Sequence, residues 1–172
     1  MAATQHVHRP RGQTDRAIAC APIDTHLTKV PSVADLVPIT QIMSREIACA
    51  RPELGIDGLA DLMVQQRIGC VPIVNERGAP IGMVTKQDLV EWLVALDRTN
   101  VDVVPQTARE LMMPLALTLR EHATVAHATA MMALEDIHHV VIIDGDGRVI
   151  GVVSSLDIVR WLAANDGLSG AR

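Results

Sequence analysis

Two short stretches carry the residues that can do chemistry: Gly82-Met83-Val84-Thr85-Lys86-Gln87-Asp88 and Gly151-Val152-Val153-Ser154-Ser155-Leu156-Asp157. Each reads glycine, two apolar residues, a hydroxyl, two variable residues and an aspartate, and the second lies 69 residues after the first. An ionised carboxylate accepts two hydrogen bonds, which matches the paired donors of a ribose 2′,3′-diol. Dinucleotide-binding folds set an acidic residue against ribose for the same reason. The hydroxyls of Thr85 and Ser154 can donate to phosphate oxygens. Both precede a predicted helix, whose free N–H groups and dipole favour an anion, and Lys86 adds a positive charge beside the first motif. The plain alternative is that each Asp only offsets a helix dipole. Two copies in register favour binding over that alternative.

Other reactive residues point to less. His138 and His139 are adjacent on a predicted strand and face opposite ways, so they cannot share one metal in the usual manner. His122 and His127 lie five apart, a poor metal spacing, and His6 and His8 fall in an irregular leading segment. Cys20, Cys49 and Cys70 show no CxxC spacing, so neither a disulfide framework nor a zinc knuckle is expected. Cys70 reads as a small buried hydrophobe, with a redox sensor as the sharper alternative. No nucleophile–base–acid set is present, so the chain is expected to be no enzyme, to hold no metal and to require no cofactor.

The elements that position the motifs come from a duplication. Residues 42–93 superpose on 111–162 without a gap, with 14 identical pairs in 52, among them Met43/Met112, Arg51/Arg120, Gly78/Gly147 and Asp88/Asp157. The two Trp of the chain, Trp92 and Trp161, occupy matching places. Each copy predicts a short helix ending near Met43 or Met112, then an extended piece and a helix with apolar residues at helical spacing, for which Asp57 and Thr124 are candidate N-caps. A hairpin of β-branched strands follows, Val71–Val74 and Val140–Ile143 leading into the turns Asn75–Gly78 and Asp144–Gly147. Closing helices start near Lys86 and Ser155. The fold class is therefore α/β, two β-α-β-β-α units about a pseudo-two-fold axis, since one unit of this size buries too little surface alone. The expected boundaries are an arm over 1–33, partly disordered, repeats over 34–93 and 107–163, a linker over 94–106 and a tail over 164–172.

Composition sets the outer limits. The chain has 172 residues, 49% of them apolar, and neither Phe nor Tyr, so aliphatic residues and Met must fill the core. A net charge of −5 without a basic cluster, and without aromatic stacking platforms, argues against nucleic-acid binding. No apolar run approaches the length of a membrane span. With reduced thiols and no signal peptide, a cytoplasmic location is expected.

The paired G-φ-φ-[ST]-x-x-D motifs after hairpins, with Met43-Ser44 opening one copy, resemble a tandem CBS domain pair, or Bateman module, over about residues 39–163. The resemblance implies a stand-alone regulatory pair that binds an adenosine-containing ligand (AMP, ADP, ATP, S-adenosylmethionine or a related dinucleotide), dimerises into a flat disc and acts through a partner protein. An empty-cleft scaffold dimer is the other reading it leaves open. It also implies that each cleft takes its Asp from one copy and its base pocket from the other. Ser154 and Asp157 would then face Ser44, Ala48, Ile68, Gly69 and Cys70, small residues that leave room for a planar base. In the second cleft Thr85, Lys86 and Asp88 would face Ile137, His138 and His139, with Met113 and Leu117 filling the space. The two His would stand where basic residues touch ligand phosphates, so that contact would be pH-sensitive; the alternative reading places one His in the core and one on the surface. The Asp157 cleft is the preferred one.

Overall fold

The computed structural model describes residues 33–98, 105–114 and 116–165, all within one compact unit. The expected arm through residue 32, with its His6 and His8, part of the linker and the tail from 166 lie outside the described residues. Two short 3-10 turns, Val33–Asp35 and Ile39–Gln41, come first. Then follow α1 (Ile56–Gln66), β1 (Cys70–Val74), β2 (Pro80–Thr85) and α2 (Lys86–Arg98). The second copy gives α3 (Ala108–Leu111), β3 (Met113–Pro114), β4 (Thr118–Arg120), α4 (Val125–Glu135), β5 (His139–Ile143), β6 (Val149–Ser154) and α5 (Ser155–Asn165).

Each copy builds a sheet around its hairpin. β1 and β2 pair antiparallel with Cys70 opposite Thr85, and β5 and β6 pair the same way with His139 opposite Ser154. The turns close by local chemistry: Asn75 Oδ1 accepts from the N–H groups of Arg77 and Ala79, and Asp144 Oδ1 from those of Asp146 and Arg148. Gly78 and Gly147 take positive φ at 80° and 81°, which only glycine adopts without strain. The duplicated arginines serve these turns. Arg51 donates to the Asn75 carbonyl, and Arg120 to those of Asp144 and Gly145.

The copies are joined by exchange. Ser44 pairs antiparallel with Val152 of the second copy, and β3 of the second copy pairs with Gly82 and Met83 of the first. These contacts are related by the 69-residue offset. Burial follows the same rule. Ile39 and Met43 are buried with Val125, Met132, Val140, Ile142 and Val153, whereas Ala108 is buried with Leu59, Met63, Val71, Ile73 and Val84. Each entry segment therefore completes the core of the other copy.

The motif glycines are where the exchanged segments cross. A Cβ at Gly151 would stand 3.0 Å from Met43 Cγ and 3.2 Å from Ser44 O; one at Gly82 would stand 2.8 Å from Met113 O and 2.9 Å from Met112 Cγ. The duplicated glycine and the duplicated methionine are thus two halves of one contact.

Helix starts differ from the sequence expectation at one place. Thr124 caps α4, in a capping box with His127. Asp57 does not cap α1: Gly55 holds the N-cap place and Asp57 lies in the first turn, where its charge still favours the dipole. Among the described residues no helix is long and apolar enough to cross a membrane.

Candidate functional site

A cavity of about 460 Å³ opens between the copies. Ser44 and Ala48 reach it from the exchanged segment, Ile68, Gly69 and Cys70 from the α1–β1 connection, and Ser154 and Asp157 from the β6–α5 junction. These are the seven residues expected for the preferred cleft. Its size lies within the range of about 300–1,000 Å³ common for small-molecule sites.

The β6–α5 junction is a capping box. Ser154 Oγ donates to Asp157 Oδ2 at 2.6 Å, the Ser154 N–H donates to the same oxygen at 2.8 Å, and the Asp157 N–H returns to Ser154 Oγ at 3.2 Å. Thr85 and Asp88 repeat it at 2.7, 2.6 and 3.3 Å. Two expectations change here. The hydroxyls, expected to donate to phosphate, donate to their own aspartates. The first N–H of each helix, expected to welcome an anion, is also taken, since Ser155 N–H donates to His138 O and Lys86 N–H to Gly69 O. What the turn leaves over is Asp157 Oδ1. This oxygen belongs to a side chain only 18% exposed and lies 3.7 Å from Arg160 Nη1.

Both the capping and the sugar-binding roles are therefore open to one carboxylate. Oδ2 holds the helix start, and Oδ1 lies free of that turn.

Of the second expected cluster, Lys86 and His139 come within electrostatic reach of each other. Thr85 and Asp88 close their turn, Lys86 begins α2, Ile137 packs against the second core, and His138 is exposed. His139, expected with Asp88, lines the Asp157 cavity. Residue 139 matches residue 70 across the duplication, and both begin the first strand of a hairpin. Its ring lies over Gly69, where an added Cβ would meet Nε2 at 2.9 Å. Burial and the neighbouring His138 lower the His139 pKa; Lys86 also opposes its proton, and Asp157 favours it. Met113, expected to fill the second cleft, is 63% exposed.

Cys70 is buried at the cavity wall, and burial, with Cys49 nearby, pushes its thiol up to about 12. A thiol so rarely ionised is a poor nucleophile, which favours the packing role. Among the described residues no group of His, Cys, Asp and Glu is arranged to hold a metal ion.

Sequence reasoning missed Arg67 and Arg160, which also line the cavity with Glu46. Their signals were present: Arg67 immediately precedes the Ile68–Cys70 segment, and Arg160 follows Asp157 by one helical turn.

A two-copy α/β fold with a carboxylate-bearing cavity between the copies defines a paired small-molecule-binding class. The CBS domain family matches residues 39–95 and 108–164, and the chain belongs to that family. A Methanopyrus kandleri protein, MK0525, is 31% identical over 72% of this chain and 62% of its own length. The γ-3 subunit of the Bos taurus 5′-AMP-activated protein kinase is 26% identical over 69% of this chain, which spans 24% of that subunit. Both are longer than the region they share with this chain. Among solved structures, the CBS domain pair of protein MJ0100, in complex with 5′-methylthioadenosine and S-adenosyl-L-methionine, superposes with a TM-score of 0.67 at 26% identity, covering 75% of this chain and 98% of that one.

Proposed function

We propose that this chain is a regulatory ligand sensor that binds an adenosine-containing molecule (AMP, ADP, ATP or S-adenosylmethionine) in the Asp157 cavity and signals to a partner protein. The observation that carries the proposal is Asp157 Oδ1, a largely shielded carboxylate oxygen free of its turn at the wall of a 460 Å³ cavity. Ribose offers two donors to it, and Ala48, Gly69 and Cys70 leave a small-residue wall against which a base can lie. The adenosine ligands named for the MJ0100 pair and the AMP in the name of the kinase subunit support the same class. The role is regulatory, with the chemistry left to a partner.

A second copy is the first partner proposed. α2 exposes Val90, Leu93, Val94 and Leu96, and α5 exposes Leu156, Val159 and Leu162. Val90 and Leu93 match Val159 and Leu162 through the duplication, so both helices present the same apolar face. A homodimer that buries these faces removes them from water.

The exposed faces also favour a second reading, a scaffold dimer with no nucleotide. Thermal unfolding with AMP, ADP, ATP and S-adenosylmethionine separates the two. A ligand at 100 times its Kd stabilises by about 2.7 kcal/mol. A shift of several degrees with one of the four supports the sensor, and no shift with any of them supports the scaffold.

A further inference from the structure

The duplication allows the two motif aspartates to be compared with their surroundings position by position, and they part in charge. Arg67 and Asp136 hold equivalent places, each ending its helix in the left-handed conformation with φ of 54° and 53°. Arg160 and Glu91 hold another pair of equivalent places, each three residues after its motif aspartate. Both arginines line the Asp157 cavity. The duplication relates these arginines to Asp136 and Glu91 on the Asp88 side, where both residues are acidic.

The arginines are the guanidinium charges at the cavity wall, where the hydroxyls of Ser44 and Ser155 also stand. The hydroxyl of Ser154 and the N–H groups of Ser154, Ser155 and Asp157 are already donated within the protein. Arg160 is held loosely. Its Nη1 lies 3.7 Å from Asp157 Oδ1, beyond good hydrogen-bonding distance, and its side chain is 70% exposed. It can leave that oxygen without breaking a strong bond. Guanidinium groups match phosphate oxygens with paired donors.

We propose that Arg67 and Arg160 make the Asp157 cavity selective for a phosphorylated nucleoside, and that Asp136 and Glu91 bar the same anion from the Asp88 side. The proposal rests on the adenosine reading of the cavity and deepens it. A ribose diol displaces Arg160 from Asp157 Oδ1, and the released guanidinium turns to the phosphate while Arg67 approaches it from the α1 end. Glu46 and Asp157 are the opposing carboxylates at the wall. Neutral adenosine gains nothing from the arginines, and S-adenosylmethionine keeps a net positive charge that opposes them, its one carboxylate offsetting only one of its sulfonium and ammonium charges.

Calorimetric titration of the full chain with adenosine, AMP and S-adenosylmethionine tests this, alongside Arg67→Asp, Arg160→Glu and the double variant. Each substitution installs the residue that the other copy already carries, and Arg160→Gln guards against an effect of added negative charge. Circular dichroism and unfolding midpoints confirm that the variants fold. The expected result is AMP binding about tenfold or more tighter than adenosine, an advantage that halving the salt increases. The double variant should abolish that advantage while adenosine affinity stays within about twofold, since a tenfold change corresponds to about 1.4 kcal/mol. Equal affinity for AMP and adenosine, tighter binding of S-adenosylmethionine, or an AMP preference that survives the double variant overturns the proposal and leaves the adenosine reading standing. Binding of none of the three probes overturns both.

Discussion

Met43 and Gly151 sit in different copies, yet the thioether of one lies where a Cβ of the other would be. Their counterparts, Met112 and Gly82, make the same contact in the opposite sense. The motif glycine is thus a receptor for the exchanged segment that carries Ser44 and Ala48 to the cavity wall.

Gly151→Ala should destabilise the chain by about 1–3 kcal/mol, the usual cost of overpacking a filled core. Gly82→Ala should cost more, because its Cβ also meets the Met113 carbonyl at 2.8 Å, and backbone yields less than a Met side chain. Urea unfolding measures both. In a double-mutant cycle, Met43→Ala with Gly151→Ala should cost less than the sum of the two single changes, because the contact is shared. Strict additivity would show that the residues do not meet.

Capping and ligand binding are separable at the two motifs. Ser154→Ala and Thr85→Ala each remove an N-cap hydroxyl and should each lower stability by about 1 kcal/mol. The two losses should agree, because the turns are alike in geometry. A much larger loss at one of them in urea unfolding would break the equivalence.

His139 predicts how stability depends on pH without ligand. Its folded-state pKa is lowered from 6.5 by burial and by His138, so the unfolded chain takes up the proton first. Its stability contribution is fully present above about pH 6.5 and is lost as the pH falls below that toward the lowered value. Lys86 opposes the proton, and Asp157 partly compensates. His139→Gln should therefore flatten the fall in unfolding midpoint between pH 7 and pH 5.5. An identical pH profile in the variant would remove His139 from the account.

Much of this was legible because the chain states it twice. Hairpin strands, turn residues and closing helices follow from β-branched runs and from Asn75, Gly78, Asp144 and Gly147, whose local chemistry needs no distant partner. The exchange was harder to read. Ile39 and Met43 open the first copy, and only the fold shows that they are buried with the second. The Ser154 hydroxyl could be placed near Asp157 from spacing, but its donation to that carboxylate depends on the short S-x-x-D geometry of a capping box. His139 lines the Asp157 cavity and is also within electrostatic reach of Lys86, a placement that its position beside His138 does not reveal.

The most direct test of the central claim is calorimetric titration of AMP into the wild-type chain, Asp157→Asn and Asp88→Asn. Both substitutions keep the side chain's shape and a capping oxygen, so folding is a shared background. One site per chain is predicted. Its affinity should be unchanged in Asp88→Asn and about ten- to hundredfold weaker in Asp157→Asn, the scale of losing hydrogen bonds to a charged group. Undiminished binding in Asp157→Asn, or binding lost only in Asp88→Asn, would contradict the account.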